Sequence, residues 1–282
     1  MVSSFLIGLR EGLEAALVVG ILVAYLVRTG RRDRLAPVWA GVGIAVTLSV
    51  LLAGVLAFTS NELSDGAQEA FAGIVSVVAV GFVTWMIFWM RAQARELRHE
   101  LHSRLAEAVA GGAITVAVMA FLAVVREGLE TAIFFWSNMQ AVGEGAGPVI
   151  GVVAGVAVAV LAGWGVYRGS VHLNLATFFT ITGAALIIVA AGVLSYGIHE
   201  LQEAGLLFGG GAVAFDVSGA IPPSGWLASL LKGVFGFTPE TTWLQVVAWV
   251  GYVGTVMTLF FLPAGGAARG RSQAPAAEAP VS

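Results

Sequence analysis

The run Arg-Glu-Gly-Leu-Glu occurs twice in this chain, at residues 10–14 and 126–130. On a helix, residues three and four apart share a face, so Glu11 and Glu14 point the same way, as do Glu127 and Glu130. Arg10 and Arg126 each stand four residues before the second glutamate, placed to orient one carboxylate. Gly12 and Gly128 remove a side chain between the acids and let a neighbouring helix or an ion approach the backbone. If the two copies meet, four carboxylates and two guanidiniums share one cavity with a formal charge of −2. Such a cavity suits a compact multivalent cation. No His or Cys lies near either copy, so the donors are oxygens and fit hard cations: ferric iron, manganese, magnesium or calcium. Ferrous iron would neutralise the charge, and ferric iron would need one further acid, so counting charge does not choose between them. The alternative is a pair of salt-bridge clusters that fix helix packing. That reading needs one acid per arginine, and each copy supplies two.

Both copies lie in apolar stretches long enough to cross a bilayer. A charged residue at the centre of such a helix costs roughly 2.5–3.5 kcal/mol on insertion scales. The 282 residues are 58% hydrophobic and 11% charged, about half the charged share of a soluble protein. The mean hydropathy is +0.91. The class is an all-α polytopic membrane protein. Seven segments approach or exceed the ~20 residues needed to span. They run over residues 4–27, 38–58, 70–90, 112–136, 149–167, 175–196 and 243–262. The first segment carries three charges and has no basic residues before it, unlike a cleaved signal. Cysteine is absent, which removes thiolate metal sites and disulfides. Lys232 is the single lysine and no basic cluster alternates with aromatics, so nucleic acid is not an expected partner.

The loop charges sort by side. Arg28, Arg31, Arg32, Arg34, Arg91, Arg95, Arg98, Arg104, Arg168, Arg269 and Arg271 fall on one side, and Lys232 alone on the other. The positive-inside rule then puts the N-terminus outside and the C-terminus inside. The outer loops are acidic, with Glu62, Asp65, Glu69, Glu144, Glu200, Glu203, Asp216 and Glu240. Residues 91–107 read as a cytoplasmic helix, 226–237 as a short amphipathic surface helix, and 264–282 as a disordered tail. The permease domain is 1–263. The motifs fall in the first and fourth spans, which run in opposite directions. That outlines a 3+3 inverted repeat plus one span, with halves at about 1–110 and 111–200.

The paired motifs, Gln68-Glu69-Ala70-Phe71-Ala72-Gly73, the run Thr84-Trp85-Met86-Ile87-Phe88-Trp89-Met90 and Gln202-Glu203-Ala204-Gly205-Leu206 resemble the oxidase-dependent iron transporter family, the high-affinity iron permeases, in their bacterial form. Ala214-Phe215-Asp216-Val217-Ser218 and Gly233-Val234-Phe235-Gly236-Phe237 add to the likeness, which extends from about residue 4 to 263. The resemblance implies iron import across the cytoplasmic membrane, with no permanent cofactor and with iron as cargo. It maps metal handling onto Glu11, Glu14, Glu127 and Glu130, supported by Arg10 and Arg126. It also implies a separate extracytoplasmic iron-binding protein and a separate iron oxidase or haem peroxidase; a homo-oligomer is one option that the sequence leaves open. Glu69 and Glu203, at the outer ends of the third and sixth spans, are the expected capture acids. One departure is Ala72, which stands where bacterial relatives carry a second acid.

Other readings carry less. His199-Glu200-x-x-Glu203 lacks the second His of a zinc hydrolase helix. His99, His102 and His172 read as interfacial, Asp216 as a loop acid, and Met86 and Met90 as packing. A permease for lead or manganese and a non-transporting metal sensor remain alternatives to iron import.

Overall fold

The computed structural model describes residues 1–61, 63–93, 112–142, 145–168, 174–217, 231 and 235–262. Among these are seven long helices: α1 (Val2–Arg28), α2 (Leu35–Asn61), α3 (Asp65–Gln93), α4 (Ala113–Val142), α5 (Ala146–Tyr167), α6 (Leu175–Glu203) and α7 (Trp243–Phe261). Each matches one of the seven apolar segments to within a residue or extends beyond it. Two short strands, β1 (Val213–Asp216) and β2 (Glu240–Thr242), pair antiparallel before α7. The all-α expectation omitted this small sheet, because three or four residues carry no periodic signal. Most of the surface helix expected at 226–237, most of the cytoplasmic helix expected at 91–107, the tail from 263, and Glu62, Glu144, Lys232, His99, His102 and His172 lie outside the described residues.

Length and apolarity suit five of the helices to crossing a bilayer: α2, α3, α5, α6 and α7. The other two, α1 and α4, carry the charged motifs and are 27 and 30 residues long. The outward faces are apolar: Trp39, Ile44, Leu51 and Phe58 of α2 are all more than half exposed. A soluble monomer rarely presents so continuous an apolar face, whereas lipid requires one. The chain is a polytopic helical membrane protein.

Helix ends follow from local chemistry. Gly30 (φ +75°) and Gly205 (φ +71°) adopt the left-handed conformation just past α1 and α6. At each, the glycine N–H and the next N–H turn back to the final carbonyls, as from Leu206 to Leu201 and from Arg31 to Leu26. Placing the stop at Gly205 corrects one boundary. Residues 197–203, read from the sequence as the start of a loop, are helical. The apolar run ends at Tyr196, but a helix leaving the membrane needs only backbone continuity, and Glu200 thereby becomes a helix-face residue.

At the start of α7, the Thr242 hydroxyl receives the Gln245 N–H while the Gln245 side chain returns to the Thr242 N–H at 2.8 Å. The same hydroxyl lies 3.0 Å from Gln202 Oε1, tying α7 to the end of α6. Replacing Thr242 with Val keeps the shape and removes both roles. We expect a loss of about 1–2 kcal/mol, read from thermal unfolding of the detergent-purified protein.

The packing has a twofold logic. α1 lies chiefly against α5, and α2 against α4. Exchanging the first three helices for the next three converts one of these pairs into the other, while α1–α4 and α3–α6 map onto themselves. Both exchanged pairs are parallel and close. Along α1–α5, Gly151 meets Met1 and Ser4, Gly155 meets Phe5 and Gly8, and Gly163 meets Ala16. Along α2–α4, Gly41 meets Ala117 and Gly128 meets Ser49. α1 and α4 run antiparallel: Asn138 donates to Ser4 Oγ at one end, and Leu22 and Leu26 join Val116 and Ala120 at the other. That register brings the two motifs level with each other.

Candidate metal centre

Two forces set where the motif side chains go. Lipid cannot solvate them, so they turn inward, and the absent Cβ of each motif glycine lets a helix of the other half lie against the motif. A methyl group on Gly12 would stand 3.0 Å from Ala159 Cβ, and one on Gly128 would overlap the Ser49 hydroxyl. The glycines therefore serve helix approach, the first of the two uses expected of them.

Arg10, Glu11 and Glu14 are buried, with Arg10 2% and Glu11 1% exposed. Arg10 Nη1 donates to Glu11 Oε1 at 3.1 Å, and Arg10 Nε lies 3.5 Å from Glu14 Oε1. In the second copy Arg126 Nε donates to Glu130 Oε1 at 3.0 Å and lies 4.0 Å from Glu127 Oε1. The expected i,i+4 ion pairs are present in both. The copies differ in one respect: the Arg126 side chain is 34% exposed and that of Arg10 is 2% exposed.

Glu11, Glu14 and Glu127 each bring a carboxylate oxygen within 4.8 Å of the others. Oxygen donors bind hard cations at roughly 2.0–2.6 Å, so oxygens up to about twice that distance apart, roughly 4–5 Å, can share one ion. Glu130 is outside this trio, drawn to Arg126. Glu11 Oε2, Glu14 Oε1, Glu127 Oε2 and Glu130 Oε2 are buried and receive no hydrogen bond among the described residues. Buried carboxylate oxygens without donors are costly. A cation in their midst removes that cost.

α3 supplies contacts that sequence reasoning assigned to packing or did not weigh. Met86 Sδ accepts from Arg10 Nη1 at 3.6 Å, and the Trp89 ring lies under the Arg126 guanidinium at 4.0 Å. Their three-residue spacing was the available signal, because it puts both on one face of α3.

At the N-terminal end of α3 and the C-terminal ends of α4 and α6, a cavity of about 270 Å³ is lined by Gln68, Glu69, Ala72, Gln140, Tyr196 and Glu200. Glu69 is where the sequence put it. Its partner across the cavity is Glu200, and Glu203 lies one turn on, exposed at the end of α6. The missed signal was the four-residue step from Tyr196 to Glu200. Ala72 is buried in the same cavity lining, so an acid at that position would add a carboxylate here. Between this cavity and the motifs, Ile7, Val80, Val83, Phe134, Leu186 and Val193 enclose a space of only about 20 Å³. This acidic cavity and the carboxylate trio are thus separated by an apolar layer. Ser3, Ser76 and Ser137 are buried near it with hydroxyls that have no partner among the described residues. Of the remaining candidates, Asp216 ends β1.

Over residues 1–273 the chain matches the Iron permease FTR1 family. It is 37% identical over 262 residues to the Ferrous iron permease EfeU of Escherichia coli O157:H7, covering 92% of this chain and 95% of that protein. The same identity relates it to the Ferrous iron permease EfeU of Yersinia pestis, with 93% of that protein covered. No solved structure gives a significant match. These relatives are permeases and not enzymes. With a match over nearly its whole length and identity well above the level that fixes common descent, the chain belongs to the Iron permease FTR1 family.

Proposed function

We propose that this protein imports iron, in the ferrous form, across the cytoplasmic membrane. The observation that carries the reading is the trio Glu11, Glu14 and Glu127, drawn from both motifs, each with a carboxylate oxygen within 4.8 Å of the others. The relatives' name, ferrous iron permease, supports both the metal and its oxidation state.

Iron reaches the acidic outer cavity at Glu69, with Glu200 facing it and Glu203 at its rim. A separate extracytoplasmic iron-binding protein delivers it there. The apolar layer around Phe134 opens, the ion passes to the trio, and a rearrangement of the two halves exposes it to the cytoplasm. The seven helices cross the membrane with the N-terminus outside. Arg10 and Arg126 hold the acids apart in charge and direction, so that binding stays weak enough for release.

Uptake into liposomes by the purified protein tests this reading. Ferrous iron should accumulate faster than ferric, and an imposed proton gradient reports the coupling. Competition by excess manganese or lead should be weak. Preferential transport of either of those metals would replace the iron reading, and absence of any metal flux would favour a sensor.

A further inference from the structure

We propose that Met86 and Trp89 of α3 are positioning residues that hold the guanidiniums of both motifs with uncharged groups, and so keep the carboxylates free for the cation. The proposal rests on the motifs being the metal site.

The argument begins with charge. α3 carries no ionisable residue between Glu69 and Arg91, yet its inner half touches both motif arginines. Met86 is fully buried, and its sulfur accepts from Arg10 Nη1 at 3.6 Å. Trp89 presents its ring face to Arg126 at 4.0 Å and stacks in turn on Trp85, with centroids 6.3 Å apart. Thioether sulfur and an indole face both attract a cation without bringing a counter-charge. Acids in these places would hold the guanidiniums as well, but they would add to the anionic set and compete for the metal. With neutral partners, each arginine is held by α3 on one side and by its own glutamates on the other.

Removing such a partner has a definite consequence. Arg126 Nε already lies 4.0 Å from Glu127 Oε1 and bonds to Glu130 at 3.0 Å. Without the Trp89 face, the guanidinium settles more closely on Glu127 and occupies an oxygen of the metal trio. Arg10 Nη1, which donates both to Met86 Sδ at 3.6 Å and to Glu11 Oε1 at 3.1 Å, would without Met86 commit wholly to Glu11, another oxygen of the trio. Weaker metal binding follows in both cases, with no ligand altered.

The test uses the full-length protein in detergent and in liposomes, with anaerobic ferrous iron as the probe. For Trp89→Leu we expect the KM of uptake and the iron Kd by calorimetry to rise about five- to thirty-fold, the range of a desolvated cation–π contact. The maximal rate should change by less than about threefold, since a cation–π contact of this size acts here on ion binding rather than on the opening step. Trp89→Phe keeps a ring face and should recover most of the affinity. Met86→Leu should shift Kd in the same direction, while Met86→Gln, which restores an acceptor, should shift it less. If Trp89→Leu leaves Kd and KM unchanged while Glu14→Gln eliminates binding, the positioning role is wrong and the metal site stands. If Trp89→Phe is as impaired as Trp89→Leu, the ring serves packing and the proposal is overturned. If Glu14→Gln binds iron normally, the metal-site reading itself has failed.

Discussion

Glu14→Gln should reduce iron uptake by at least about a hundredfold while the protein still reaches the membrane. The substitution preserves size and removes only charge. It replaces one anionic donor of the trio by a weaker amide oxygen and leaves Arg10 ion-paired to Glu11 alone. Breaking one side of a buried ion pair typically costs about 3–5 kcal/mol, and each 1.4 kcal/mol is tenfold in an equilibrium, so a hundredfold loss is the lower bound. Glu130→Gln should also abolish uptake, by a different route. Glu130 holds Arg126 at 3.0 Å, and once released that guanidinium moves onto Glu127. The two variants therefore separate ligand loss from ligand capture: added excess iron should recover part of the uptake in Glu130→Gln and none in Glu14→Gln. Radioactive iron uptake in intact cells, normalised to membrane protein by immunoblot, reads both. Normal uptake in either variant would remove that residue from the site.

Gly155→Val should destabilise the α1–α5 pair by about 3 kcal/mol or more and abolish transport with it. A methyl group at this position would overlap the Phe5 carbonyl oxygen and stand 2.7 Å from Leu9 N, so backbone on the facing helix would have to move. Backbone cannot swing aside as a flexible side chain can. Displacing α1 carries Glu11 and Glu14 away from Glu127, and a shift of 1 Å already spoils ligand geometry. Gly20→Val is the matched control. It makes the same chemical change on α1, where a methyl group would meet nothing within 4 Å. Thermal unfolding in detergent should show a large loss for Gly155→Val and less than about 1 kcal/mol for Gly20→Val. Equal losses would mean that the close α1–α5 approach does not hold the site together.

How much of this was legible without coordinates varies from residue to residue. The seven helices were, because a span needs a long apolar run and hydropathy reports that directly. The buried Arg10–Glu14 and Arg126–Glu130 pairs were too, because helix periodicity fixes which residues share a face. The boundary at Tyr196 was misplaced because hydropathy follows the membrane, whereas the helix follows its hydrogen bonds to Gly205. Glu200 was passed over in favour of Glu203 for the same reason.

By itself, then, the sequence determined that two acid-rich motifs lie inside apolar helices, that their donors are oxygens only, and that the two helices run in opposite directions. These are properties of local spacing and of the cost of charge in lipid. Only the tertiary structure decided that α1 and α4 cross with their motifs level, that Glu127 and not Glu130 completes the trio with Glu11 and Glu14, and that α3 holds both arginines. Those facts depend on which helix lies against which. That is settled by glycine-to-backbone contacts between residues far apart in the chain, as between Gly41 and Ala117 and between Phe5 and Gly155, and no local pattern encodes it.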